Sequence, residues 1–200
     1  DSIGTALRTY GQLLRDRRFL GYTLSGGFAQ AGMFAYITGS PHVFIDLYGL
    51  SPQAYGWLFG LNALGLIASS QYNRRLLRRH SADTVLRRAN RATVLLGLTL
   101  LGMTLAGGGL YGLLLPLFGY LVTLGFTAPN AMAHALAEQG ERAGSASALI
   151  GSLQFTLATL SSALVGLAGH GSTLPMASII AGCGLLAYAA HRLLVMQEKI

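Results

Sequence analysis

Residues that could support nucleophilic or metal chemistry are few in this chain, and they are spread along it. There are five histidines and one cysteine, and no pair of histidines has the spacing of metal ligands with further donors nearby. We therefore predict neither a metal site nor a cofactor. Serine and histidine together could form the dyad of an intramembrane protease, which is the alternative function. Such proteases place the serine in a GxSG turn, and the runs GSAS at 144–147 and GHGS at 169–172 are not substitutes.

The most basic segment lies at 73–91 and has the sequence NRRLLRRHSADTVLRRANR, with seven arginines. Arginines at this density could neutralise the phosphates of a nucleic acid. The segment contains no aromatic side chain on which a base could stack, and it resembles no recognition module, so we predict no nucleic-acid binding. Because neutral segments flank it, we expect these arginines to fix the orientation of the chain in a lipid bilayer. They would also meet anionic headgroups, at about 1 kcal/mol each.

Polar and aromatic side chains recur every three or four residues within the apolar segments, which places them on one face of a helix. Three such stripes are Thr23, Gly27, Gln30 and Phe34; Tyr55, Phe59 and Asn62; and Tyr120, Thr123, Thr127 and Asn130, with Tyr36 on another face of the first helix. Large amides and aromatic rings suit a wet, amphipathic cavity better than close helix packing. The first and third stripes therefore favour a binding cavity.

A narrower stripe consists of small and polar side chains. Its members are Gly144, Ser147, Gly151, Gln154, Ala158 and Ser161. Small residues let helix backbones approach closely inside a membrane, where lipid gives helices no hydrophobic reason to associate. This stripe, and the pair Gly56 and Gly60 in another segment, therefore favour helix packing.

The elements that must position these stripes are apolar helices. The 200 residues are 52% hydrophobic and only 10% charged, whereas about a quarter of the residues of a soluble domain are charged. Three long blocks, at 19–73, 92–137 and 143–191, contain a single Asp, Glu, Lys or Arg residue, Asp46. A membrane-spanning helix needs about 20 apolar residues, so each block can hold two spans. Helix-interrupting residues that could form the turns lie at 40–52, 107–109 and 169–175.

We predict an all-α membrane protein with six transmembrane helices inside a domain at 19–196. The spans are expected at 19–41, 54–73, 90–107, 110–134, 144–168 and 175–195. All 14 Lys and Arg residues lie at the termini or in the two connections between helical hairpins, which predicts cytoplasmic termini. Residues 1–18 would form a cytoplasmic connector, and residues 197–200 a cytoplasmic tail. The chain begins with Asp1 rather than Met, which favours a fragment or one half of a larger protein.

Ionisable residues are absent from the centres of the predicted spans. This chain alone therefore offers no carboxylate that could carry a proton across the membrane. Histidines at the span ends are expected to be solvated and structural, and these are His42, His134, His170 and His191.

Spans one to three and four to six could form two triplets of opposite orientation. Proline interrupts the first helix of each triplet late in its run, at Pro41 and Pro129, and Pro116 also lies in the fourth span. Interrupted helices at matching positions of two repeats are typical of the binding region of a transporter.

Two segments carry a family resemblance. They are YGLSPQAYGWLFGLNALGLI at 48–67, which leads to Asn73 and Arg74, and APNAMAHALAEQGERAGSASALIGSLQF at 128–155. Both are similar to the carboxyl-terminal half of the Bcr/CflA-type drug-resistance transporters of the major facilitator superfamily. The run RAGSASALIGSLQF is the most specific match. The resemblance covers about residues 10–195 and six of the family's twelve helices, and His42 departs from the apolar residue expected after Pro41.

The resemblance implies a proton-driven exporter of bicyclomycin- or chloramphenicol-like compounds in a bacterial inner membrane. It would work by alternating access between two six-helix halves. The first and fourth spans would face the central cavity, the second and fifth would meet the other half, and the third and sixth would be outer supports. The implied partners are drug-like small molecules, protons, the lipid bilayer and the absent amino-terminal half.

The resemblance and the stripes together predict two sets of functional residues. Those expected to bind substrate are Gln30, Phe34, Tyr36, Asn62, Tyr120, Thr127, Asn130 and Gln154. By resemblance, Asn73 and Arg74 match the degenerate second copy of the superfamily's loop motif, which helps to hold the cytoplasmic side closed. Arg142 lies in the matching loop of the second triplet, so all three are predicted gating residues.

Overall fold

A computed structural model of the chain describes residues 3–169 and 171–195, and the tail predicted at 197–200 lies outside these residues. The described residues form helices and no strand, so the predicted all-α class is confirmed. The helices are α1 (Ile3–Leu13), α2 (Arg17–Pro41), α3 (Pro52–Leu76), α4 (Ala82–Leu105), α5 (Gly109–Leu136), α6 (Ala143–Leu167) and α7 (Leu174–Leu194).

Helices α2 to α7 each have between 21 and 28 residues. At about 1.5 Å per residue, each is long enough to cross a hydrocarbon layer about 30 Å thick. Within the described part of the chain, three helices are both long and apolar enough to be spans by composition: α5, α6 with the short turn before it, and α7. The helix α2 carries a polar stripe, and α3 and α4 have arginine-rich ends. The predicted number of six spans stays a prediction.

Helix starts are specified by capping side chains. Asp16 accepts hydrogen bonds from the backbone amides of Arg18 and Phe19 at the start of α2. Ser51 caps α3, in which Pro52 occupies the first turn. Ser81 accepts from the amide of Thr84 at 3.3 Å and so begins α4. Such caps satisfy amide groups that have no partner within the helix.

The cap at Ser81 corrects the prediction for the arginine-rich segment. A loop of about 16 residues was expected between a span ending near residue 73 and one starting near residue 90. Instead α3 continues to Leu76 and α4 begins at Ala82, which leaves only residues 77–81 as a connection. Most of the arginines therefore lie on helix ends, where their spacing is fixed by the helices.

The region around Pro41 also differs from the expected interruption. Helix α2 continues through Pro41 into a π-helical segment, His42–Leu47, and the chain turns only at Gly49, where φ is +69°. Within the π-helical segment the amide of Tyr48 donates to the carbonyl of Val43, five residues back, at 3.1 Å. The side chains of His42 and Asp46 lie 2.8 Å apart along this segment.

Helix packing follows a reciprocal pattern. The most extensive contacts join α2 to α7, α2 to α6 and α4 to α5, and less extensive ones join α3 to α5, α2 to α5 and α4 to α7. These helices form two triplets, α2–α4 and α5–α7. When the triplets are exchanged, the α2–α7 contact corresponds to α4–α5 and the α2–α6 contact corresponds to α3–α5. The α2–α5 and α4–α7 contacts each correspond to themselves. The main core lies where α2, α5 and α7 meet, around Tyr120, Leu117 and Ile180.

Glycine permits the closest approach between α3 and α5. A Cβ atom added to Gly125 would lie 2.6 Å from the backbone nitrogen of Ser70 and 2.9 Å from the carbonyl oxygen of Leu66. Both are atoms of the α3 main chain, which cannot turn away as a side chain can. This contact fixes the distance between the two helices.

The outer faces of α3 and α6 are exposed in the described structure. Trp57 on α3 is 83% exposed and Leu167 on α6 is 85% exposed. No atom lies within 4 Å of a Cβ built on Gly56 or Gly60. The packing predicted for this glycine pair is therefore not made within the described chain.

Candidate functional site

A recess between α2 and α3 contains two of the predicted binding residues, Tyr36 and Asn62. The Asn62 amide donates a hydrogen bond to the Tyr36 hydroxyl oxygen at 3.0 Å, and both side chains are buried. Phe59 stacks on Tyr36 with ring centroids 5.8 Å apart. One turn further along α2, the hydroxyl groups of Ser40 and Tyr55 are 2.8 Å apart. These side-chain contacts connect α2 and α3 along one edge of the recess.

The recess is apolar with one polar corner. Its volume is about 160 Å³. It is lined by Met33, Tyr36, Ile37, Phe59, Asn62, Ala63, Leu66 and Leu121. Aromatic and aliphatic walls with a few placed polar groups are typical of sites for small, mostly apolar molecules. The amide and phenol could orient such a molecule, because together they offer both a donor and an acceptor.

Three other predicted binding residues lie along the boundary between α2 and α6. Gln30, Phe34 and Gln154 are each half-buried. Phe34 meets Phe155 edge-to-face with ring centroids 6.3 Å apart. A Cβ added to Gly27 would lie 3.5 Å from the Cγ of Gln154, so the glutamine side chain packs over the glycine. Gln154 belongs to the stripe of small and polar residues on α6. At the far end of that stripe Ser161 donates a hydrogen bond to the Ala31 carbonyl oxygen at 2.8 Å, so this end packs against α2.

Tyr120 and Thr127, by contrast, belong to the core. Both are fully buried. The Tyr120 hydroxyl donates to the Ala29 carbonyl at 3.1 Å, and its ring lies against Gly32. The Thr127 hydroxyl is enclosed, with no hydrogen-bond partner among the described residues. In this conformation both side chains pack in the core, and their role in substrate binding stays a prediction.

Asn130 and Asn73, predicted for different roles, form one contact. The Asn130 amide donates to the Asn73 side-chain oxygen at 3.0 Å and to the Phe126 carbonyl at 2.8 Å. Both asparagines are buried. The contact joins α5 to the end of α3 and lies within the helix pair, so Asn130 does not face an open cavity here.

The remaining gating candidates are on the surface. Arg74 is exposed. Arg142 is also exposed and donates to the side-chain oxygen of Gln12 at 3.1 Å, which links the turn before α6 to α1. Nearby, Arg18 forms an ion pair with Glu138. The structure does not bring Arg74 and Arg142 together.

Several polar contacts were missed by the sequence analysis. The Asn90 amide donates to the Ser25 hydroxyl at 2.9 Å, and the hydroxyl groups of Thr93 and Thr123 are 2.7 Å apart. Asn90 and Thr93 lie three residues apart and so share one face of α4. This spacing, at the end of the basic segment and just after it, could have predicted a polar contact face on α4.

His191 was expected to be solvated, and this is wrong. Its side chain is 2% exposed, and its Nε2 lies 3.9 Å from an Asp83 carboxylate oxygen. Tyr22 lies beside it at 5.8 Å between ring centroids and stacks on His134 at 4.8 Å. Helix packing of α2, α4, α5 and α7 covers this end of α7. Among the described residues, no three His, Cys, Asp or Glu side chains are grouped so as to hold a metal ion.

Comparison with known proteins gives two relatives. The chain is 40% identical over 179 residues to the uncharacterized MFS-type transporter YdgK of Bacillus subtilis, which is 90% of this chain and 44% of that protein. It is 28% identical over 191 residues to a bicyclomycin resistance protein homolog of Haemophilus influenzae, which is 96% of this chain and 48% of that protein. The chain thus spans about half the length of these relatives. No protein-family model matches the chain.

Proposed function

Since the chain belongs with the Bcr/CflA-type transporters of the major facilitator superfamily, we propose that it is the carboxyl-terminal half of a proton-coupled multidrug efflux protein. Its relatives are transporters, which are not enzymes, so an intramembrane protease is not favoured. The observation that carries the proposal is the 40% identity to a transporter of about twice the length. The transported molecules would be small and drug-like.

The architecture in this proposal is six membrane spans, α2 to α7, in two inverted repeats of three helices. The reciprocal packing supports it, because α2 contacts α6 and α7 as α5 contacts α3 and α4. Inverted repeats pack in this exchanged manner when a two-fold axis relates them in the membrane plane. The axis would pass near the contact of α2 with α5.

The proposed orientation has both termini in the cytoplasm of a bacterial cell, with the helices in its inner membrane. Basic residues cluster at the start of α2, at the end of α3, at the start of α4 and before α6. In a six-span topology these four positions lie on the same side. Positive residues favour the cytoplasmic side.

The exposed faces of α3 and α6 would contact the amino-terminal half. Helix α3 packs mainly on α5, and α6 packs mainly on α2. Both leave large apolar side chains uncovered, including Trp57 and Phe155. Lipid can cover an apolar surface, so exposure alone does not indicate a partner helix. Gly56 and Gly60 on α3 also permit a second helix to approach closely.

Substrate would bind in the recess of Tyr36, Asn62 and Phe59 and along the adjoining face of Gln30 and Phe34. These side chains lie on α2 or α3, beside the space that the other half would close. The proton-coupling acid would belong to that half, since α2 to α7 have no carboxylate near their centres. Alternating access would expose the recess to each side in turn.

Drug accumulation in cells that express the full-length protein tests the proposal. Cells should retain less drug than a vector control while a proton gradient exists, and an uncoupler should abolish the difference. Export that persists unchanged after the gradient is collapsed would contradict proton coupling. Absence of export for a broad panel of drug-like compounds would contradict the proposed substrate class.

A further inference from the structure

A crevice opens between the end of α3, the start of α4 and the middle of α5. Its volume is about 250 Å³. Its walls are mostly aliphatic or aromatic and include Leu76, Val85, Ala92 and Phe126, and Arg88 stands at its edge. No described side chain fills this space, although the walls are of the kind that proteins normally bury.

The crevice adjoins a wider basic recess. Leu76 and His80 line both. The basic recess has a volume of about 700 Å³, and Arg75, Arg78 and Arg79 project around it. Tyr72 connects the two, because it lines the basic recess and its ring meets Phe126 of the crevice edge-to-face at 6.5 Å. The apolar crevice thus adjoins a cluster of guanidinium groups.

These guanidinium groups are not neutralised by the described residues. The ion pairs within residues 3–169 and 171–195 are Arg18 with Glu138, His42 with Asp46, and Asp83 with both Arg87 and His191. None involves Arg75, Arg78, Arg79 or Arg88. Asp83, near the start of α4, lies 3.3 Å from Arg87. The positive charge at the mouth of the crevice therefore remains available to an anion.

From this arrangement we propose that the crevice binds one anionic phospholipid of the cytoplasmic leaflet. An acyl chain would lie between Leu76, Ala92 and Phe126, and the phosphate would be bound by Arg78, Arg79 and Arg88. Arginine suits this task, because its planar group of donors can bind two phosphate oxygens at once. Basic pockets between helices at the cytoplasmic side are typical of such binding. The inference rests on the orientation proposed above.

The charge pattern and the apolar wall together favour a lipid over a soluble anion. A free phosphate would use the arginines and leave the crevice unfilled, whereas a zwitterionic lipid would fill the crevice and bring its own cation beside the arginines. A bound lipid would connect α3 to α4 across the short connection at 77–81, and so stabilise their packing on α5.

Thermal unfolding of the purified full-length protein in detergent tests this site. The probes are phosphatidylglycerol, phosphatidylcholine with the same acyl chains, and glycerol phosphate. Phosphatidylglycerol should raise Tm to a plateau as its concentration increases, and the other two compounds should leave Tm unchanged. The double variant Arg78→Gln/Arg79→Gln should weaken the apparent affinity by roughly 10- to 30-fold, and Ala92→Phe should do so by filling the crevice with the charges intact.

The matched control is Arg8→Gln/Arg15→Gln, which removes the same charge elsewhere and should keep the response to phosphatidylglycerol. Three outcomes would overturn the proposal: an equal rise in Tm with both lipids, a rise in Tm with glycerol phosphate, or loss of the rise with phosphatidylglycerol in the control variant. If the variants unfold, competition on the unmodified protein decides the question. Unlabelled phosphatidylglycerol must then displace spin-labelled phosphatidylglycerol at lower concentration than phosphatidylcholine does. None of these outcomes depends on whether the protein exports drugs.

Discussion

The side-chain amide of Asn130 donates a hydrogen bond to the side-chain oxygen of Asn73 at 3.0 Å, and both residues are buried. This contact joins the last third of α5 to the end of α3, beside the short connection to α4. Neither side-chain amide is exposed to solvent, and Asn130 has one further acceptor, the Phe126 carbonyl at 2.8 Å. A motion that parts these helices must therefore break the contact or supply water to it.

Replacement of Asn73 by leucine should destabilise the protein by about 1–3 kcal/mol, because the amide of Asn130 loses one acceptor while buried. Asn130→Leu should cost a similar amount, and the double variant should cost less than the sum of the two. Urea unfolding of the full-length protein in detergent measures all three. Strict additivity would show that the hydrogen bond contributes little. The neighbouring change Arg74→Ala is the control: its side chain is exposed, so it should alter stability by less than about 0.5 kcal/mol and still disturb transport.

Replacement of Gly125 by alanine should push α3 away from α5. The new methyl group would meet the main chain of Ser70 at 2.6 Å, and overpacking of this kind costs about 1–3 kcal/mol. Thermal unfolding should show a lower Tm than the wild type. Gly102→Ala is the matched control, since nothing lies within 4 Å of the added carbon there and alanine favours a helix. A Gly125→Ala protein as stable as Gly102→Ala would mean that α3 and α5 are less closely packed than described.

Replacement of Asn62 by leucine should change which drugs are exported more than it changes the amount of protein. The change removes the donor to Tyr36 and leaves the Tyr36 hydroxyl as the polar group of this pair in the recess, so export of compounds with a hydrogen-bonding group should fall more than export of apolar compounds. A panel of drugs of graded polarity, measured for accumulation in cells, shows the difference. Leu61→Ala, at an exposed position on another face of α3, should leave the order of drug preference as it is. If both variants export every compound like the wild type, the recess is not the substrate site.

Much of the fold followed from charge and periodicity, because long neutral blocks between basic segments leave few arrangements for a membrane chain. The starts of α2, α3 and α4 had readable signals in Asp16, Ser51 and Ser81. Periodicity shows which residues share one face of a helix, but it does not show which other helix that face contacts. Tyr120, Thr127 and Asn130 do share a side of α5, but the spacing could not say that α2 and α3 would cover that side. The burial of His191 likewise depends on helices far from it in sequence.

The exposed glycine face of α3 gives the last prediction. Gly56 and Gly60 have open space beside them, and Trp57 next to them is largely exposed. If this face meets the amino-terminal half, Gly60→Leu in the full-length protein should hold the two halves apart, because leucine adds a branched side chain where a helix backbone would lie. Co-purification of the two halves expressed as separate chains should fall, and drug export should fall with it, while circular dichroism shows unchanged helix content. Gly102→Leu, at an exposed position on α4, should leave co-purification intact. Halves that still co-purify and export drugs normally with Gly60→Leu would show that α3 contacts lipid rather than a partner helix at this point.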